Sequence, residues 1–112
     1  MEDPGFDREL ADAILNDRPP ITRSEEVAYT PDGLEQWVDD TVSLNFDVIH
    51  DGLWQDMEQA LPRIRQTYTA YNSGYPMSFH VAKQGGMNDE KLFVLLCDKR
   101  VGERPVALWT FE

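Results

Sequence analysis

A chain of 112 residues is long enough for one compact domain and too short for two. Its 41% hydrophobic residues recur in runs that can build a core, but none approaches the 18 apolar residues of a membrane span. The formal charge of −11 argues against a nucleic-acid or membrane surface; the acids crowd into residues 1–60, 16 of them against three arginines, and either attract a basic protein partner or only keep the protein soluble.

Residues 6–16 read as the first helix, with Phe6, Leu10, Ala13 and Ile14 at helical spacing and Asp7, Arg8, Glu9 and Asp12 on the other faces. Arg18-Pro19-Pro20 ends it, because a residue before proline is pushed out of the helical region. Residues 21–29 read as a strand. Its parity groups Val27 and Tyr29 with Arg23 and Glu25, and Ala28 with Ser24 and Glu26. Such weak alternation suits an edge strand, where Glu25 and Glu26 also discourage unwanted pairing. Thr30 is a good N-cap and Pro31 fits the first helical position. Leu34, Trp37 and Val38 then form an apolar stripe, while Glu35, Gln36, Asp39 and Asp40 point elsewhere.

Residues 41–50 are ambiguous, since Val42, Leu44, Phe46 and Val48 alternate as in a short strand or an extended link. Asp51 can cap a third helix beginning near Leu53, striped by Met57, Leu61, Ile64, Tyr68 and Tyr71. Pro62 predicts a kink or two consecutive short helices. Residues 72–76 form a loop and the last third reads as sheet. Residues 77–83 alternate, 84–89 make a hairpin loop around Gly85-Gly86, 92–97 are apolar on both faces as in a covered central strand, and 106–111 close the sheet. The predicted fold class is α+β, a single compact domain in which helices pack against an antiparallel β-sheet.

A catalytic centre is hard to assemble from these residues. His50 and His80 have no nucleophile at motif spacing, and His80 reads as a half-exposed strand residue. Cys97 reads as a small core hydrophobe. As the lone cysteine it forms no internal disulfide, which fits a reducing cytoplasm. No ligand pair stands at a recognised metal spacing and no glycine-rich loop opens a helix, so neither metal nor cofactor is expected. Adjacent acids such as Glu25-Glu26 and Asp39-Asp40 diverge and do not flank a bond. The acidic N-terminus lacks the apolar region of a signal peptide. Arg63, Arg65, Lys99, Arg100 and Arg104 form small groups in a larger negative field and read as balancing local acids. What remains is a soluble, cytoplasmic binding protein without catalytic activity. Tyr29, Leu34, Trp37 and Trp109 either belong to the core or line a cleft, between the second helix and the sheet, that receives one apolar side chain.

The stretch Ser24-Glu25-Glu26-Val27-Ala28-Tyr29-Thr30-Pro31-Asp32-Gly33-Leu34-Glu35-Gln36-Trp37-Val38 resembles the acidic edge strand, hydrophobe, proline and acidic helix of the phage uracil-DNA glycosylase inhibitor family, small proteins that mimic DNA. His80-Val81-Ala82, Leu95-Leu96, Pro105 and Ala107-Leu108 are similar to later landmarks of that family at matching spacing. The likeness covers residues 6–38 and 77–112, with residues 39–76 as an insertion that holds an additional helix. Within it, Gln66-Thr67-Tyr68-Thr69 is similar to a segment of a staphylococcal type of inhibitor.

The resemblance implies an edge strand that enters the enzyme's DNA groove with Glu25 towards the catalytic side, flanked by Ser24 and Glu26. It implies that Glu35 imitates a phosphate; beyond the matched residues, Asp39 and Asp40 are expected to join Glu25, Glu26 and Glu35 in occupying the groove. It further implies a pocket of Tyr29, Leu34, Trp37, Val38, Leu96 and Trp109 that captures the enzyme's DNA-probing leucine. Gly33, Gln36 and Lys99 stand where the family has acids. The expected partner is uracil-DNA glycosylase or another basic DNA-processing enzyme, bound 1:1 by a monomer in the bacterial host cytoplasm without contact to nucleic acid or membrane. A DNA-mimic inhibitor of a restriction or CRISPR nuclease shares the acidic face, as does an immunity protein or antitoxin against a basic nuclease.

Overall fold

Asp7 opens the first helix by accepting a hydrogen bond from the Leu10 amide at 3.0 Å, one of the amides that has no partner inside the helix. Helix α1 spans Arg8–Asn16 and stops at Asp17, whose left-handed backbone (φ 52°) turns the chain away. The chain continues through β1 (Ile21–Ala28), α2 (Pro31–Val42), α3 (Asp51–Tyr71), β2 (Met77–Gln84), β3 (Lys91–Asp98) and β4 (Arg104–Phe111). This computed structural model describes residues 7–42, 51–71, 74–85, 90–100 and 102–112. The readings for Phe6, for residues 43–50 and for the tip of the 84–89 loop lie outside the described residues.

The fold is α+β. Four strands form one antiparallel sheet in the order β1-β2-β3-β4, so β1 is an edge strand, as its weak alternation predicts. Alternation along β2 and β3 divides their side chains between two cores. On one face Ala11, Ala13 and Ile14 of α1 pack on Ala82, Phe93, Leu95 and Cys97. On the other, Leu34 and Val38 of α2 and Met57, Ala60 and Ile64 of α3 pack on Phe79, Val81, Val94 and Leu96. A strand covered twice must be apolar on both sides, and Leu92–Cys97 is buried throughout. The Cα radius of gyration, 13.2 Å, equals the value of about 13 Å expected for a compact domain of this length. Among the described residues no helix is long and apolar enough to cross a membrane.

Two local features differ from the sequence reading. Helix α3 runs unbroken through Pro62 and does not divide into two short helices. Pro62 and Glu58 both lie on the exposed side, so water can reach the carbonyl left without its amide. Leu53, Trp54, Met57, Ala60 and Ile64 continue the buried stripe across the proline. In β1 the predicted parity fails at its end. Glu26 pairs with His80 but Ala28 with Phe79, so Val27 is an extra residue opposite a single step of β2. This bulge transfers Ala28 to the α2 and α3 face, away from Ser24 and Glu26.

Candidate functional site

The step from β1 into α2 follows the local rules. Thr30 Oγ1 accepts from the Gly33 amide at 3.1 Å and so caps α2, with Pro31 as its first residue. Gly33 allows this turn to lie close on β1, because a Cβ there would stand 3.2 Å from Ala28 Cβ and 3.3 Å from Thr30 Oγ1. An acid at this position, as the family resemblance has it, would press against both.

The predicted contact residues separate once folded. Glu25 projects to solvent with its side chain 45% exposed, 3.8 Å from the Arg23 guanidinium. Ser24 turns towards α1 and donates its hydroxyl to the Ile14 carbonyl, so it tethers the helix to the edge strand. Glu26 faces the same side as Ser24 and joins a polar cluster. On α2, Arg65 reaches across from α3 to Asp32 at 2.6 Å and Glu35 at 3.2 Å. The hydrogen bond with Asp32 is the main reason the Arg65 pKa is raised. Asp39 and Asp40 are exposed, and Gln36 donates to Asp40 at 3.0 Å. Glu25, Glu35, Asp39 and Asp40 thus remain on the surface, while Ser24 and Glu26 serve the fold.

The six residues proposed for an apolar pocket differ in their exposure. Leu34, Val38 and Leu96 have no exposed surface and belong to the main core. Trp37 and Trp109 are half-buried against that core, and Trp37 lies 5.9 Å from Trp54 of α3, ring centroid to centroid. Tyr29 lies outside it, 61% exposed. The burial comes from α3: Leu53, Trp54, Met57, Ala60 and Ile64 close the surface that α2 and the sheet would otherwise leave open. Helix α3 is therefore a structural part of the domain.

The polar cluster lies at the end of the sheet where β1 and β3 finish. Lys99 Nζ stands 3.3 Å from Glu26 and 3.7 Å from Glu103, and 5.4 Å from the centre of the Tyr29 ring. Burial raises the Glu26 pKa, but hydrogen bonds with Tyr29, Glu103 and Lys99 outweigh it, and the carboxyl lies below its ordinary value. The same contact with Glu26 raises the pKa of Tyr29 and of Lys99. His80 sits at 3.7 Å from both Glu26 and Glu103. Its predicted half-exposure is corrected: only 6% of its surface is accessible, because β2 lies between two strands and under α1. Burial lowers the His80 pKa despite the two carboxylates, so the imidazole is neutral at pH 7.

Cys97 behaves as the sequence suggests, fully buried with its thiol pushed up to about 12 by desolvation. The adjacent turn is closed by Asp98, which accepts from the Arg100 amide at 2.9 Å and pairs with Arg100 and Arg104 at 2.6 and 3.2 Å. The predicted balancing of local acids by Arg65, Lys99, Arg100 and Arg104 is what the structure contains. Spacing could not reveal the Glu26, His80 and Glu103 cluster, since its members lie far apart in sequence and meet only through strand register.

No protein-family model, curated protein or solved structure matches this chain.

Proposed function

We propose that the protein is a stoichiometric inhibitor that occupies the DNA groove of a basic DNA-processing enzyme, with uracil-DNA glycosylase as the target the family resemblance indicates. The observation that carries this reading is the edge strand β1, which exposes Glu25 and runs directly into α2, whose exposed side bears Glu35, Asp39 and Asp40. Carboxylates on a sheet edge and a contiguous helix supply negative charge without the counterion atmosphere of DNA. A cationic groove attracts such a surface and binds it faster at low salt. In this reading the protein acts as a monomer in the bacterial cytoplasm and forms a 1:1 complex.

The test is excision of uracil from DNA by a bacterial glycosylase in the presence of rising amounts of the protein. Inhibition that saturates at one equivalent supports the reading; undiminished excision with the protein in excess rejects this target. Given inhibition, Glu25→Ala removes a charge-assisted hydrogen bond worth roughly 1.5–3 kcal/mol. Binding then weakens roughly 10- to 150-fold. Equal affinity of Glu25→Ala and wild type would show that β1 is not the inserted element.

A second reading is favoured by one observation. Leu34, Val38 and Leu96 are closed in the core, and a DNA mimic directed at a restriction or CRISPR nuclease needs the acidic face without any apolar capture. Inhibition of DNA cleavage by such a nuclease, with uracil excision unaffected, selects this target.

A further inference from the structure

Apart from the acidic edge, three metal-ligating side chains converge from three parts of the chain. Glu26 comes from β1, His80 from the neighbouring β2, and Glu103 from the turn before β4. One donor atom from each, the imidazole nitrogen and two carboxylate oxygens, lies within 4.8 Å of the others. His80 Nε2 is 3.7 Å from each carboxylate, too far for a hydrogen bond. Four-coordinate zinc, with bonds of about 2.0–2.1 Å, holds neighbouring ligand atoms about 3.3–3.4 Å apart. The histidine is thus within a few tenths of an ångström of ligand spacing from both glutamates.

We propose that Glu26, His80 and Glu103 form a binding site for a divalent metal ion of the zinc type, in competition with the Lys99 ammonium. Two observations beyond the clustering point to a cation. First, His80 is more than nine-tenths buried, and its Nε2 is aimed into the cluster with only a long 3.4 Å contact to Ser78 Oγ. The Ser78 hydroxyl also hydrogen-bonds to the Cys97 thiol, so its single proton is contested. Second, a cation already stands against these donors, with the Lys99 ammonium 3.3 Å from Glu26 and 3.7 Å from Glu103. Lys99 can leave readily, because its side chain is 30% exposed on a flexible stem beside the surface. Imidazole with two carboxylates is a donor set that zinc accepts, and the fourth position stays open to water.

The experiment is a calorimetric titration of the full chain with Zn²⁺ alone, repeated with Co²⁺ as a spectroscopic probe of tetrahedral geometry. Zn²⁺ binds the wild-type protein at one equivalent, and Glu103→Gln weakens that binding at least tenfold. Lys99→Met removes the competing ammonium and tightens it at least tenfold. Glu103 and Lys99 lie at the surface end of the sheet, so both variants keep the core intact, and circular dichroism verifies this; His80→Gln is secondary, since it disturbs a buried position. A Co²⁺ spectrum of tetrahedral type that disappears in Glu103→Gln supports the site. Equal Zn²⁺ affinity in wild type and Glu103→Gln, or weaker binding in Lys99→Met than in wild type, overturns it and leaves an ion-pair network only.

Discussion

Leu34 decides whether the apolar stripe of α2 is core or an open receptor for a partner's side chain. In the structure it has no exposed surface and lies among Val38, Met57 and Phe79. Leu34→Ala removes three carbons, which at about 0.8 kcal/mol per buried methylene amounts to about 2.4 kcal/mol. The cavity left behind raises the cost to about 3–5 kcal/mol, the range seen when buried leucines are truncated. Unfolding entropy of about 2.1 cal/mol/K per residue gives roughly 0.24 kcal/mol/K for this chain, so Tm falls by about 13–21 °C. A thermal melt followed by circular dichroism measures it directly. The exposed Tyr29 is the control, and Tyr29→Ala shifts Tm by less than about 4 °C, the equivalent of roughly 1 kcal/mol. If Leu34→Ala also moves Tm by less than that, Leu34 faces open space and the cleft exists after all.

Three further outcomes follow from the same geometry. Pro62→Ala restores a backbone hydrogen bond on the exposed side of α3; the helix gains up to about 3 kcal/mol and the unfolded chain about 1 kcal/mol of entropy, leaving a net stabilisation of about 2 kcal/mol that a raised Tm detects. Met57→Ala costs about 2–5 kcal/mol in urea denaturation, because α3 is core and not an appended segment. Arg100 holds the Asp98 carboxyl below its ordinary value of 3.8, so its contribution is complete above that pH and is lost as pH falls below it. Asp98→Asn therefore flattens the acid limb of a plot of Tm against pH.

The parts of the fold that depend on near neighbours were legible in the sequence. Thr30-Pro31 announces a capped helix, Leu92–Cys97 announces a doubly covered strand, and weak alternation marks β1 as an edge, all from chemistry within a few residues. The remainder depends on register and on distant segments. The bulge at Val27 is a two-against-one match between β1 and β2, so no property of β1 alone predicts that Ala28 changes face. Glu25 and Glu26 look equivalent as neighbours in sequence. Pairing with His80 and Lys99 draws Glu26 inward, while Glu25 stays beside Arg23. The burial of Leu34 and Val38 was illegible for a similar reason, since a stripe of Leu34, Trp37 and Val38 reads the same whether or not α3 covers it.

The charge on α2 offers the sharpest separation between folding and binding. Cations from the second half of the chain return to the acidic half: Arg65 meets Asp32 and Glu35, and Lys99 meets Glu26. Asp39 and Asp40 lie in the last turn of α2, which contains no basic residue. That turn is the negative end of the helix dipole, where an acid is unfavourable by about 0.3–1 kcal/mol and a base favourable by a similar amount. Asp40 accepts from Gln36 within the helix, but helix stability does not account for the exposed Asp39, whereas an outward acidic face does. Asp39→Lys therefore raises stability by about 1 kcal/mol and Tm by about 4 °C. In the same variant, binding to a cationic groove weakens and its association rate loses part of its salt dependence. A fall in Tm would show that Asp39 supports the helix, and unchanged binding would remove α2 from the contact face.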